Sequence, residues 1–325
     1  MDLRPALTEL AEQHQLSRAD VARLHSLAGL DDEPDNLKRI IPIGIGILGA
    51  ALAGLGIIFW IAANWDMLGR VAQFALLESV VVVMCAGAVW RMNARLPLGV
   101  LACLAIGGLF AFFGQTYQTG ADPWQLFALW AGLAIPLCLG VRHDGLWVVW
   151  TLVAMTAITL WSRANNGPSW QIGTSDTAVQ LLSWSVAILI TTMFTPQFRS
   201  YHGGGALPMR LALSLTALMI GFDGIAGLFA REISQPTYFL AVLVFGSAAS
   251  VFAAPKMRDT FSLCLIGLGL NVLLVGGVVR LVFRGIGNDF VMPLLITGCA
   301  AALLLAATVK IILKLSRLHA EGDGA

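Results

Sequence analysis

The chain has 325 residues, of which 58% are hydrophobic and only 12% are charged, and its mean hydropathy is +0.79. Soluble domains carry about 25% charged residues because water must wet their surface, so this composition excludes a water-soluble globular protein and predicts one that dissolves in lipid. The net charge of +1 gives no indication of nucleic acid as a partner.

The first 38 residues are predicted to form an amphipathic helical tail in the cytoplasm. Residues 1–39 have a net charge of −3, and apolar residues at helical spacing indicate two short helices, the second beginning after a Ser17-x-x-Asp20 cap. We expect no signal peptide, because the first apolar run begins only at Ile40. About forty residues cannot bury a core alone, so residues 1–36 are expected to dock on basic loops of the bundle or on a protein partner.

Residues 39–315 are predicted to form an all-α polytopic transmembrane helix bundle, followed by a short cytoplasmic C-terminal tail over residues 316–325. A helix needs about 20 apolar residues to cross the hydrocarbon core. About ten such runs occur along the chain, at 40–63, 71–90, 96–114, 124–141, 145–162, 177–195, 208–230, 236–254, 260–283 and 290–313.

The distribution of lysine and arginine predicts the orientation of these spans. With the N-terminus in the cytoplasm, fifteen of the 20 basic residues fall on the cytoplasmic side. The other five lie on the opposite side, namely Arg70, Arg163, Arg231, Arg280 and Arg284. Basic residues resist translocation, so we predict a bacterial inner-membrane protein with both termini in the cytoplasm.

Several residue types point to structure and not to a metal or cofactor. All five cysteines lie within apolar runs, none forms a C-x-x-C pair, and the histidines show no metal-ligand spacing, so no metal site and no cofactor is expected. Gly46, Ala50 and Gly54 put small residues on one face of the first span. Such a face is a packing seam, either within the bundle or between protomers of an oligomer.

Two N-terminal stretches carry a family resemblance. GLGIIFWIAANWDMLGRVAQF spans Gly54–Phe74, and GGLFAFFGQTYQTGADPWQLFALWAGLAIPL spans Gly107–Leu137. Together they resemble a bacterial family of multi-pass membrane proteins known as domain of unknown function 2157. The residues that carry the resemblance are Asn64, Trp65, Asp66, Gly114, Gln115, Tyr117, Gly120, Asp122 and Trp124. The resemblance covers roughly the first 140 residues and implies a membrane architecture with a helical cytoplasmic segment, but no settled activity.

Three charged residues lie inside predicted spans, where each costs about 2.5–3.5 kcal/mol on insertion scales. Glu78, Asp223 and Arg280 are all placed in the half of the bundle nearest the non-cytoplasmic face. A polar cavity open to that side would combine them with residues of the outer loops, namely Asn64, Asp66, Gln115, Tyr117, Asp122 and Trp124. The alternative is structural: Arg280 reaches the interface, Asp223 pairs with it, and Glu78 is protonated or buried.

Three classes of function fit this pattern. A carrier or channel-like protein for a small polar or lipid-linked solute would use Glu78 and Asp223 as coupling groups. A non-catalytic scaffold or regulatory protein would act through residues 1–36. An enzyme of envelope lipid or glycan intermediates would need Asp66 or Asp122 as acid or base, and no catalytic motif supports it. We favour the first class, with membrane lipid as a partner, and assign no catalytic residue.

Overall fold

The computed structural model describes residues 14, 17, 19–21, 23, 35–63, 67, 69–117, 120, 122–166, 177–229, 236–254, 259–284 and 290–322. The chain divides into two compact units, Met1–Asn64 and Trp65–Ala325.

The first unit contains one long helix, α1, over Asp35–Ala63, with Pro42 inside it. Ahead of α1, the backbone N–H of Asp20 donates to Ser17 Oγ at 3.3 Å, and Ser17 Oγ donates to Asp20 Oδ2 at 2.6 Å. This reciprocal pair is the cap that the sequence predicted. Most of residues 1–34 lie outside the described part of the chain, as do Asn64, Trp65 and Asp66.

The described residues of the second unit form nine long helices. They are α2 (Arg70–Trp90), α3 (Arg95–Tyr117), α4 (Pro123–Val141), α5 (Asp144–Asn165), α6 (Thr177–Met193), α7 (Ala206–Phe229), α8 (Pro236–Ala253), α9 (Thr260–Phe283) and α10 (Val291–Gly322). Two 3-10 turns, Met92–Ala94 and Pro196–Phe198, and a four-residue helix, Arg199–His202, complete its described structure.

The fold class predicted from the sequence, an all-α polytopic bundle, is confirmed. In the described residues, nine helices are long and apolar enough to cross a membrane, or up to ten if a bent pair forms one span. That pair joins α6 to residues Pro196–His202 at an angle of 59°, and Pro196 ends the helix there because proline lacks an amide donor. The chain is therefore an integral membrane protein with multiple spans.

The helices of the second unit pack in a continuous order. α2 packs on α3, α3 on α4 and α5, and α5 on α4, α6 and α7. Helices α6–α10 form the C-terminal half of the second unit. α7 is central to this half because it packs on α6, α8 and α9 as well as on α5, while α10 packs on α9. The apolar core of that half includes Trp184, Ile220, Phe245, Ile266 and Leu273.

Indole groups join neighbouring helices by donating to backbone carbonyls. Trp130 Nε1 of α4 donates to the carbonyl of Cys103 in α3 at 2.9 Å, and Trp150 Nε1 of α5 donates to that of Ala131 in α4 at 2.9 Å. A buried aromatic side chain stabilises a core best when its polar atom finds a partner. These bonds therefore fix the rotation of each helix about its axis.

Small residues let α7 approach its neighbours closely. A Cβ added at Gly224 would lie 2.8 Å from Cβ of Ala241 in α8, and one added at Gly227 would lie 3.2 Å from Cβ of Thr237. Farther along, Thr308 Oγ1 of α10 donates to Asn271 Oδ1 of α9 at 3.0 Å. Asn271 therefore joins α9 to α10.

The start of α9 is held by the carboxylate of Asp259, which makes three contacts with two residues. Asp259 Oδ2 accepts from the backbone N–H of Ser262 at 3.0 Å and from its hydroxyl at 2.7 Å, and Asp259 Oδ1 pairs with Arg210 Nη2 of α7 at 3.1 Å. Partial burial raises the pKa of Asp259, but the bonds from Ser262 and Arg210 outweigh it, so this pKa lies below its ordinary value of 3.8.

A pH dependence follows from this lowered pKa. The carboxylate stabilises the fold fully above about pH 4, where it is also charged in the unfolded chain, and this contribution is lost as pH falls through the lower, folded pKa. We expect Asp259→Asn to be less stable than the natural chain at pH 7, with a difference that shrinks as pH falls below 4. Unfolding in mixed detergent micelles at pH 7, 5 and 3 measures this difference, and a gap that stays constant to pH 3 would contradict the assignment.

Candidate functional site

One end of the second unit is formed by three loops that the sequence placed on the same side. Trp147 Nε1, in the first turn of α5, donates to the carbonyl of His202 at 2.9 Å. Asp144 Oδ1 accepts from the backbone N–H of Gly205, and Arg210 pairs with Asp259. We call this end the Trp147 end. The contacts join the α4–α5, α6–α7 and α8–α9 loops, and their assignment to the cytoplasm stays a prediction.

Backbone shape lets these loops meet. Arg142 ends α4 in the left-handed conformation with φ 52°, and Gly203 has φ 68°. A Cβ at Gly203 would lie 2.7 Å from Cβ of Arg142, so only glycine fits there. The ring of His202 is buried beside Trp147 and Phe194, with centroids 5.7 and 5.3 Å away, and its Nδ1 accepts from the N–H of Gly204.

The opposite end of the C-terminal half carries an ionisable group within a span. Trp184 Nε1 of α6 donates to Asp223 Oδ2 of α7 at 2.9 Å, and Trp184 is only 2% exposed whereas Asp223 is half-buried. We call this end the Asp223 end. Arg163, in the last turn of α5, acts electrostatically on the Asp223 carboxyl group and lies 5.6 Å from the ring centroid of Phe222.

Polar side chains continue from Asp223 along α6, where this helix packs on α7 and α8. Gln180 Oε1 accepts from Thr237 Oγ1 of α8 at 2.9 Å, one helical turn beyond Trp184. In the other direction, the hydroxyls of Thr191 and Thr216 lie 3.1 Å apart. We call Gln180, Trp184, Thr191, Thr216 and Asp223 the α6–α7 seam. Eleven residues separate its ends on α6, which corresponds to about 16 Å along the helix.

The seam includes a polar atom without a described partner. Gln180 is 1% exposed, and its Nε2 is buried with no hydrogen-bond partner among the described residues. A buried unpaired donor costs about 1–3 kcal/mol, so natural chains keep few of them without a reason. At this site a solute oxygen could accept that hydrogen bond.

The predicted cavity residues are distributed over both halves of the second unit. Glu78 is exposed on α2, a helix that packs on α3, whereas Asp223 lies on α7 among α5, α6, α8 and α9. Within the described residues no hydrogen bond or ion pair joins Glu78, Asp223 and Arg280. The partners of Asp223 are Trp184 and Arg163 and not Arg280, which is half-buried near the end of α9.

The outer-loop residues of the prediction lie near the junction of α3 and α4. Gln115 and Tyr117 are exposed in the last turn of α3, and the Tyr117 ring stacks near Phe113 with centroids 4.8 Å apart. Asp122 is exposed at the N-cap of α4, without a capping bond from its side chain, and Trp124 is half-buried. Asn64 and Asp66 lie outside the described residues, so a cavity shared by the whole set stays a prediction.

Sequence reasoning missed Trp184 and Arg163. Arg163 entered only as a charge that sets topology, and Trp184 was part of an apolar run. The signal was present in α6, where Gln180, Ser183, Trp184 and Thr191 recur at spacings that share one helix face. A polar stripe on a span predicts a buried polar contact, because lipid does not solvate it.

No group of three or more metal-binding side chains occurs in the part of the chain that the structure describes. The cysteines are likewise unpaired there, with Cys103 and Cys138 fully buried and Cys264 and Cys299 exposed on helix surfaces.

Comparison with known proteins relates the N-terminal part of the chain to a protein family. No curated protein and no solved structure matches the chain. Residues 8–147 match the model of a family described as "Predicted membrane protein (DUF2157)", and the resemblance predicted from the N-terminal motifs is thereby confirmed for this part of the chain.

Proposed function

We propose that the protein is a carrier or channel-like protein of the bacterial inner membrane, with both termini in the cytoplasm. It moves a small polar or lipid-linked solute through a polar cavity that opens to the non-cytoplasmic side. The α6–α7 seam lines the path of the solute, and Asp223 is the group whose charge couples to its movement.

The observation that carries this proposal is the carboxyl group of Asp223 inside a membrane span. Such groups are rare, because lipid penalises their charge, and they mark solute and proton pathways in membrane proteins. Trp184 Nε1 donates to Asp223 Oδ2 at 2.9 Å, while Arg163 supplies an opposite charge nearby. A carboxyl group held in this way can exchange a proton or a cationic group without unfolding its helix.

The seam also favours transport over packing alone. It places amide, indole, hydroxyl and carboxyl groups in a row over about 16 Å, roughly half of the ~30 Å hydrocarbon thickness. Holding two helices together needs only one or two polar groups, as the hydrogen bond between Thr308 of α10 and Asn271 of α9 illustrates. Three polar contacts spaced along α6 would offer a moving polar solute successive partners.

The test compares Asp223→Asn with Asp223→Glu in cells whose own copy is deleted. Asparagine keeps an oxygen for Trp184 Nε1 but cannot ionise, whereas glutamate keeps the carboxyl group. We expect the natural chain to restore at least one solute level that the deletion changes, inside the cell or in the medium. Asp223→Asn should fall to the level of the empty vector and Asp223→Glu should retain part of the activity.

Both variants must reach the membrane in equal amount and unfold at the same detergent concentration as the natural chain. Full restoration by Asp223→Asn under those conditions would refute the coupling role. Since asparagine preserves the hydrogen bond, a loss of activity with intact stability reports on charge and not on packing.

A scaffold or regulatory role is the second candidate, favoured by the capped helix start at Ser17 and Asp20. A helix in a polar tail is a common docking element for another protein. Deleting residues 1–36 separates the two functions, because a scaffold loses its function with the tail whereas a carrier keeps its solute phenotype.

A further inference from the structure

A short amphipathic element leaves the bundle at the Trp147 end. After α6 the chain turns by 59° at Pro196, and residues Pro196–His202 run on as a 3-10 turn and a short helix. Phe198 is 46% exposed and Tyr201 is 72% exposed, while His202 is buried against Trp147. An element that turns away from a span and exposes aromatic rings suits the membrane–water interface.

Two arginines flank this element. Arg199 is exposed at its helical turn, and Arg142 is exposed at the end of α4. Gly203 N–H donates to the carbonyl of Arg199 at 2.8 Å, and Gly203 also lies against the backbone of Arg142. The two arginines are thus held on either side of the same glycine, in adjacent loops of one end of the bundle.

The acidic residues described at this end are already occupied. Asp144 accepts the N–H of Gly205, and Asp259 pairs with Arg210. The guanidinium group of Arg142 donates from Nε to the carbonyl of Leu139 at 3.3 Å, and neither Arg142 nor Arg199 forms an ion pair among the described residues. No acidic residue occurs between positions 195 and 208. Among the residues that the structure describes, no carboxylate therefore compensates the positive charge of these two arginines.

We propose that Arg142 and Arg199, with Phe198 and Tyr201, form a binding site for an anionic phospholipid headgroup. The guanidinium groups bind the phosphate, since arginine matches phosphate geometry with paired hydrogen bonds. The two rings lie at the level of the glycerol and upper acyl chain. Charge complementarity selects the occupant: anionic lipids are the anions concentrated at the level where a span ends.

The site lies apart from the α6–α7 seam and does not depend on transport. It would anchor the Trp147 end to lipid and favour anionic membranes. It also extends the prediction of membrane lipid as a partner by naming the headgroup class and the residues that bind it.

The test uses the purified full chain in dodecyl maltoside micelles. Dioleoylphosphatidylglycerol or dioleoylphosphatidylcholine is added at matched concentrations, and native mass spectrometry measures the first bound lipid. We expect the natural chain to prefer phosphatidylglycerol. Replacing both arginines, as in R142Q/R199Q, should weaken its binding on the order of 20-fold, about fivefold for each arginine.

A second variant guards against a folding defect. Arg142→Gly removes the side chain at a position whose φ of 52° glycine adopts freely, so we expect it to fold at least as well and still to bind about fivefold more weakly. Arg91→Gln, an exposed arginine in the α2–α3 loop, is the matched control and should leave binding unchanged.

Three results would overturn the proposal. Unchanged phosphatidylglycerol binding by R142Q/R199Q would remove the site. Equal competition by inorganic phosphate at the lipid's concentration would assign the arginines to free phosphate and not to a lipid. Loss of hydrogen-exchange protection in residues 1–34 of lipid-free R142Q/R199Q would assign them to the acidic tail of the chain itself.

Discussion

Replacing Trp147 with alanine is expected to lower the free energy of unfolding by about 3–5 kcal/mol. Trp147 is 1% exposed and its ring lies edge-on to Trp150 and Phe194, each with centroids 5.4 Å away. The substitution opens a large cavity there. It also removes the indole donor from the carbonyl of His202, the bond that joins α5 to the α6–α7 loop.

Unfolding of the purified chain by sodium dodecyl sulfate in mixed micelles measures this effect. Trp90→Ala is the matched control, because Trp90 is 89% exposed at the end of α2 and should change the unfolding free energy little. Trp147→Phe keeps most of the ring volume but loses the N–H. Its unfolding free energy should lie between those of the Trp147→Ala and Trp90→Ala chains. Equal unfolding free energies for the Trp147→Ala and Trp90→Ala chains would show that the Trp147 end does not stabilise the bundle.

The second large effect is expected at Gly269 of α9. A Cβ at this position would collide with Cε1 of Phe245 and lie 2.7 Å from its Cζ. Phe245 is 3% exposed in the core that also contains Trp184 and Leu273, so its ring has no free space to occupy. We expect Gly269→Ala to cost about 1–3 kcal/mol through overpacking.

Gly246→Ala provides the control for that variant. Gly246 follows Phe245 in α8, and a Cβ there would meet no atom within 4 Å. Alanine is a better helix former than glycine, so this variant should be as stable as the natural chain or slightly more stable. If both alanine variants unfold at the same detergent concentration, α8 and α9 are not packed as closely as the structure has them.

Most of the fold could be predicted because the lipid bilayer restricts how an apolar chain can fold. Each hydrophobic run must form a helix long enough to cross the bilayer, so length and composition alone located ten runs that correspond to α1–α10. The predicted run 177–195 ended within two residues of Met193, because the proline at 196 was visible in the sequence. The 59° turn beyond it was not, since no pattern encodes the direction of a chain after a break.

The sequence predicts how deep in the membrane the candidate site residues lie, but it does not predict which helices pack around them. Counting residues from a span end places Glu78 and Asp223 at similar depths, yet it gives no information on which helices lie side by side. The packing order puts their helices in different parts of the second unit, and it brings Trp184 and Arg163 to Asp223. Those partners are 39 and 60 positions away in sequence, and no local pattern links them.

The bonds at the Trp147 end have a mechanical consequence. The Trp147–His202 and Asp144–Gly205 bonds join the N-terminal end of α5 to the loop that leads into α7, so a tilt of α5 would pivot about this point. α5 has 22 residues and is about 33 Å long, so a tilt of about 5° at the pivot displaces its far end by roughly 3 Å. That C-terminal end carries Arg163. A small tilt of α5 would therefore move the guanidinium group towards or away from Asp223 while the N-terminal end of the helix stays in place.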